Sequence, residues 1–214
     1  MWAELQTALT SGQVVIAHGA TAGWSAWLAA QLPALGAGDG AVVVVAADDQ
    51  AARRLEADIR FFRGGAHDPA AVLDEIAMLP GIDVSPYADL SPDRGCIVER
   101  MATLYRLTRP ELRPRIVVTS AEALVRRTMA PGELASRGTT LRKGGTIDRD
   151  ELAALLVAGG WARTPVVDEP GTFAVRGGVI DVFAPLAPHP VRIELFGDEI
   201  DSLRWFEAES QRTL

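Results

Sequence analysis

The chain has 214 residues, 48% of them hydrophobic, which is enough for one large or two small cores, and its formal charge is −7. That charge, with Lys143 as the one lysine, argues against a free-standing nucleic-acid binder held by phosphate neutralisation. A single cysteine, Cys96, excludes an internal disulfide, and His18, His67 and His189 are too scattered for a zinc site. No apolar run approaches a spanning helix, and Met1-Trp2-Ala3-Glu4 lacks the basic flank and apolar segment of a signal peptide, so the cytoplasm is the expected location and no membrane is expected as a partner.

Residues 1–125 alternate strand and helix signals as an open parallel α/β sheet does. Val14–Ala17 is predicted as a short buried strand, followed by a turn over Gly19 to Ser25 and an apolar helix to about Leu32. This is where a nucleotide-binding domain carries its phosphate loop. Such a loop needs two glycines, a lysine and a hydroxyl at fixed spacing. Counted from Gly19, Trp24 replaces the second glycine and Ser25 the lysine, so no cofactor is expected and the turn is read as packing only.

Val42–Ala46 reads as the next buried strand, with Asp48 or Asp49 capping a helix through about Phe62 whose inner face holds Ala52, Leu55 and Ile59. A third strand is predicted within Ala71–Leu79. A punctuated connection over Pro80–Pro92 then leads to a helix over Arg94–Leu107 with Ile97, Met101, Leu104 and Leu107 on one side. Arg115–Thr119 reads as a strand and Ser120 as the cap of a short helix through Val125.

Alternation stops after residue 125, where Met129-Ala130-Pro131-Gly132 interrupts the chain, so residues 126–214 form a second, α+β domain. Thr139–Lys143 could be a strand. Asp148 and Glu151 form a capping-box start, Leu152, Leu155 and Leu156 an apolar stripe, and Gly159-Gly160 the helix end. Trp161–Val167 is predicted as a strand, followed by antiparallel strands at Thr172–Val175, Val179–Phe183, Val191–Phe196 and Ile200–Phe206. Overall the fold class is α/β, a degenerate nucleotide-binding-like parallel sheet followed by a small α+β domain with an antiparallel sheet.

In Val191–Phe196, alternation sends Val191, Ile193 and Leu195 to the core face and Arg192, Glu194 and Phe196 to the other. Two readings fit. Arg192 and Glu194 can be exposed ion pairs with Phe196 half-covered by the next strand, or the Arg and aromatic residues can form a protein-binding face. The basic cluster Arg126, Arg127, Arg137, Arg142 and Lys143 is followed at once by Asp148, Asp150 and Glu151, and reads as a solvated mixed face.

No G-x-S-x-G, H-E-x-x-H or C-x-x-C motif occurs, and the acidic pairs Asp48-Asp49 and Asp198-Glu199 fall at a cap and a turn, where the backbone accounts for them. The chain therefore reads as an interaction module with no catalytic residue and no metal site.

Specific motifs support this. G-T-F-A-V-R-G-G-V-I-D-V-F from Gly171, P-V-R-I-E-L-F-G-D-E-I-D-S-L-R from Pro190, S-Q-R-T-L from Ser210, S-P-Y-A-D-L-S-P-D-R from Ser85 and E-R-M-A-T-L-Y-R-L from Glu99 resemble the UvrB-like N-terminal module of bacterial transcription-repair coupling factors. The excinuclease protein UvrB keeps an intact phosphate loop and a DNA-gripping hairpin, and the failed loop here favours the coupling factor.

The resemblance implies a non-catalytic adaptor fragment that recruits the excinuclease protein UvrA to stalled RNA polymerase, with little or no direct DNA binding. It also implies that the ATP-dependent translocase motor and polymerase-binding domain lie beyond Leu214, and that a C-terminal domain of the full-length protein can mask the binding surface. The family's contact positions fall on Arg176, Arg192 and Phe196, and alanine is expected to be tolerated at Gly178. The alternatives are a DNA-binding module or a residual nucleotide-binding module of a UvrB-like repair helicase.

Overall fold

The computed structural model describes residues 2–35, 40–65, 74–82, 93–185 and 187–214. The chain forms two compact units, one built from the described residues up to 82 with Arg109–Thr128, the other from residues 93–108 with Met129–Leu214. The predicted connection around Tyr87 and the start of the predicted third strand lie outside the described residues.

In the first unit, β1 (Val42–Ala46), β2 (Ile76–Leu79) and β3 (Ile116–Ser120) form a parallel sheet in the order β1-β3-β2. Val44 and Met78 both pair with Val118. Helices Ala22–Gln31 and Asp49–Arg60 cover one sheet face, where Ala26, Ala30, Ala52 and Ile59 bury against Ile76, Ile116 and Val118. Asp48 caps the second helix through the Ala51 N–H at 2.7 Å, and Ser120 caps Ala121–Val125 through the Ala123 N–H at 3.1 Å. Asp49 does something else. One of its oxygens accepts from the Ser120 hydroxyl at 2.5 Å and the other from the Gly81 N–H at 2.7 Å, which ties the carboxyl ends of β2 and β3 to the segment that follows β1.

Two strand predictions in this unit need correction. Val14–Ala17 is not a strand: it follows a helix over Trp2–Thr10, belongs to no sheet, and leaves Val14 91% exposed. Apolar β-branched residues supply propensity, but a strand exists only through its ladder, and this run has no ladder partner among the described residues. β1 is half-exposed rather than buried, because Val43 and Val45 point away from the helices.

In the second unit, β4 (Ala162–Arg163), β5 (Thr172–Arg176), β6 (Val179–Val182), β7 (Val191–Phe196) and β8 (Glu199–Trp205) follow sequence order across a five-stranded sheet. The pairs from β5 to β8 are antiparallel, whereas β4 runs parallel to β5. The predicted strand over Trp161–Val167 shrinks to β4 because Pro165 has no N–H to continue the ladder beyond Thr164.

Helix Arg149–Ala158 starts at Asp148, whose carboxylate accepts from the Glu151 N–H at 2.7 Å, and buries Leu152 and Leu156 against Phe173, Ile180, Ile193 and Ile200. Gly160, at φ 84, closes it. Thr139–Lys143 is not a strand. The chain instead joins β8 just beyond that run, where Thr146 bridges Glu199 and Gly144 donates to the Ile200 carbonyl at 2.8 Å.

Pro131 begins the helix Pro131–Ser136 rather than interrupting the chain, as a proline at the first helical position can, because that N–H has no helical acceptor. Helix Arg94–Thr108 forms as predicted, but Arg100 and Thr103 are its buried residues and Ile97 is exposed. Its orientation is set by Arg94, which donates to the Gly171 carbonyl at 2.5 Å, and by Tyr105, whose ring occupies the space a side chain at Gly138 would need.

Candidate partner-binding face

The register of β5 to β8 explains how this face is built. Ala174, Asp181, Arg192 and Arg204 are aligned across the sheet, and Arg176, Val179, Glu194 and Ser202 form the adjacent row. Residues two apart on a strand share a face, so both rows point away from the Leu152–Leu156 helix. The side opposite the core is not uniformly charged. At one end Val167, Ala174, Phe183 and Phe206 make a second apolar cluster. The closing segment covers it, with the Gln211 amide donating to the Val167 carbonyl at 3.1 Å.

Asp181 is the centre of the charged part. Its side chain is only 3% exposed, and it receives two hydrogen bonds from Arg192, at 2.7 Å and 2.9 Å. This fork-on-carboxylate pairing is the strongest charge-assisted geometry available to the two groups. The hydrogen bond to Asp181 raises the Arg192 pKa above its ordinary value. The Arg192 guanidinium also lies 4.6 Å from the centroid of the buried Phe206 ring. Arg176 stands 3.6 Å from the same carboxylate with its side chain 54% exposed.

Phe196 is 84% exposed. Just before it, a register shift at Glu194/Leu195 breaks the β7–β8 ladder, and Leu195 donates from its N–H to the Gly178 carbonyl at 2.8 Å. Gly178 is held closely here. A Cβ at this position would fall 2.9 Å from the Leu195 carbonyl oxygen, so the expectation that alanine is tolerated is corrected: one of the two backbones must move.

Arg192 and Phe196 thus lie on the side of the sheet predicted by alternation, the register adds Arg176 to that side, and the three differ in availability. Arg192 is committed to Asp181, and Phe196 and Arg176 are open to solvent. Sequence reasoning missed Asp181, although a carboxylate inside the apolar run Val179–Phe183 was the available signal. It also left Phe206 as a strand end rather than the floor beneath Arg192.

The turn over Gly19 to Ser25 is satisfied by its own chain. Thr21 caps helix Ala22–Gln31 by accepting from the Trp24 N–H at 3.3 Å, and the Ser25 hydroxyl donates to the Thr21 carbonyl at 3.1 Å. In the basic cluster, Arg126 pairs with Glu122 and the Ile82 carbonyl, and Arg137 with Glu133. Among the described residues no group of acids, cysteines and histidines could hold a metal, and no helix is long and apolar enough to cross a membrane.

Residues 139–214 match the UvrB interaction domain family. The transcription-repair-coupling factor of Myxococcus xanthus is 39% identical over 173 residues, which cover 81% of this chain and 14% of that protein. The Escherichia coli K12 protein of the same name is 34% identical over 176 residues, covering 82% of this chain and 14% of that protein. In the Staphylococcus aureus USA300 protein a 74-residue stretch reaches 51% identity. The chain spans about 14% of the length of the first two relatives. From its strand-borne motifs to these alignments, the chain is homologous to the N-terminal region of transcription-repair-coupling factors and carries a UvrB interaction domain.

Proposed function

We propose that this chain acts in transcription-coupled nucleotide excision repair as a non-catalytic adaptor that binds the excinuclease protein UvrA through the outer face of β5 to β8. The second unit, which takes in residues 93–108 as well as Met129–Leu214, serves as the partner-binding domain and the first as a degenerate α/β domain. Arg176, Arg192 and Phe196 are the proposed contact set, with Phe196 as the desolvated anchor and Arg176 reaching acidic groups on the partner. In a full-length protein the same face is the proposed docking site of its own C-terminal domain.

The observation that supports this reading is the 84% exposure of Phe196 on the same sheet side as Arg176 and Arg192, opposite the packed face. A large ring left in water costs solubility and contributes little to the fold, whereas an aromatic beside guanidinium groups is the usual composition of an interface hot spot. The homology supports the repair context.

Isothermal titration of purified UvrA into this chain tests the proposal. Phe196→Ala is expected to weaken the complex by about 1 to 3 kcal/mol while leaving the melting temperature unchanged. Undiminished affinity in that variant removes Phe196 from the site.

A further inference from the structure

The proposed contact set contains two arginines, yet the geometry divides them unequally. Arg192 has 22% of its side chain exposed and commits its Nε and one terminal nitrogen to Asp181. A guanidinium held in that fork, over the Phe206 ring, has few donors left for another protein. A second exposed cation lies on the same face. Arg204 on β8 is directly opposite Arg192 in the register, and its side chain is 54% exposed, the same as Arg176.

Like charges directly opposite one another destabilise a sheet, so fold stability gives no reason for an arginine at 204. Its only ion pair among the described residues is with Glu194 at 3.8 Å, too long for a hydrogen bond, and that carboxylate already accepts from the Ser202 hydroxyl at 2.6 Å. Arg176 is similar, since its pair with Asp181 at 3.6 Å is also beyond hydrogen-bonding distance and Asp181 is occupied by Arg192. Across these two rows both carboxylates are engaged by neighbours, and the uncommitted donors belong to Arg176 and Arg204, which flank the occupied pair on β5 and β8.

We infer that Arg204 is a further partner-contacting residue of this face, acting with Arg176 as the two guanidinium groups that grip acidic side chains of the bound protein, while Arg192 positions the face from below. The occupant this fits is an acidic protein surface, with one carboxylate cluster for each outer arginine and an apolar recess for Phe196. The inference rests on the proposed reading that UvrA is the partner.

Calorimetric titrations of UvrA into the 214-residue chain test it with wild type, Arg204→Ala, Arg204→Gln and Arg176→Ala, each at low and at physiological salt. Thermal melts serve as the folding control. Wild type is expected to bind. Arg204→Ala and Arg204→Gln are each expected to bind about tenfold more weakly, with a shallower salt dependence and an unchanged melting temperature, and Arg176→Ala is expected to show the same pattern. Wild-type affinity and salt dependence in both Arg204 variants overturns the inference alone and leaves the reading intact. Failure of the wild type to bind overturns the reading and this inference with it.

Discussion

Removing the Asp181 carboxylate would leave the Arg192 guanidinium without either of its short hydrogen bonds while it remains packed over Phe206. Breaking the pair from one side leaves the partly exposed Arg192 without its two strongest hydrogen bonds, which costs more than losing a fully exposed pair. Asp181→Ala is therefore expected to destabilise the chain by about 1 to 3 kcal/mol in urea denaturation, because Arg192 keeps part of its side chain in water. Phe196→Ala, at the exposed end of the same face, should leave that denaturation curve in place. The two residues also differ in how legible they were. Alternation along Val191–Phe196 placed Arg192 and Phe196 on the outer side, but it operates within one strand, and the Asp181–Arg192 pair is made across two.

At the scale of the element, the β5–β6 turn and the Leu195 end of β7 act on each other, next to the register shift that leaves Asp201 of β8 unpaired. The Gly178 carbonyl accepts from the Leu195 N–H, and the Leu195 carbonyl lies where a side chain at 178 would go. Gly178→Ala is expected to cost about 1 to 3 kcal/mol as an overpacking substitution and to shift the backbone amide resonances of Leu195 and Phe196 more than those of Ile180. An unshifted Phe196 amide would show that the turn does not hold the ring's strand.

The strands of this sheet were readable because each has its own period of two and its own punctuation. β4 was overextended because Pro165 acts on a ladder rather than on a propensity, and Val14–Ala17 was misread because four apolar residues say nothing of a neighbour to pair with. In Arg94–Thr108 the apolar stripe was real, but the contacts at Gly171 and Gly138 chose a different face.

Over the whole molecule, the two architectures were legible from the change in pattern after residue 125. The assignment of Arg94–Thr108 to the second unit was not, because that helix precedes β3 in sequence and joins the later unit only through tertiary contacts such as Arg94 to Gly171. The missing glycine and lysine near Ser25 lead to a prediction for the first unit: millimolar ATP with magnesium should leave the melting temperature unchanged, as ligand linkage requires when there is no site. A rise of several degrees would restore nucleotide binding as a function of this unit.

The Asp49 contacts carry that expectation further. In open parallel sheets, small molecules settle in the crevice just past the strand tips. Here a fixed negative charge already laces that crevice, fastened to a hydroxyl on one side and an amide on the other. A polyphosphate entering past these strand tips would meet that carboxylate first, so opening the crevice to one would require replacing the Asp49 side chain.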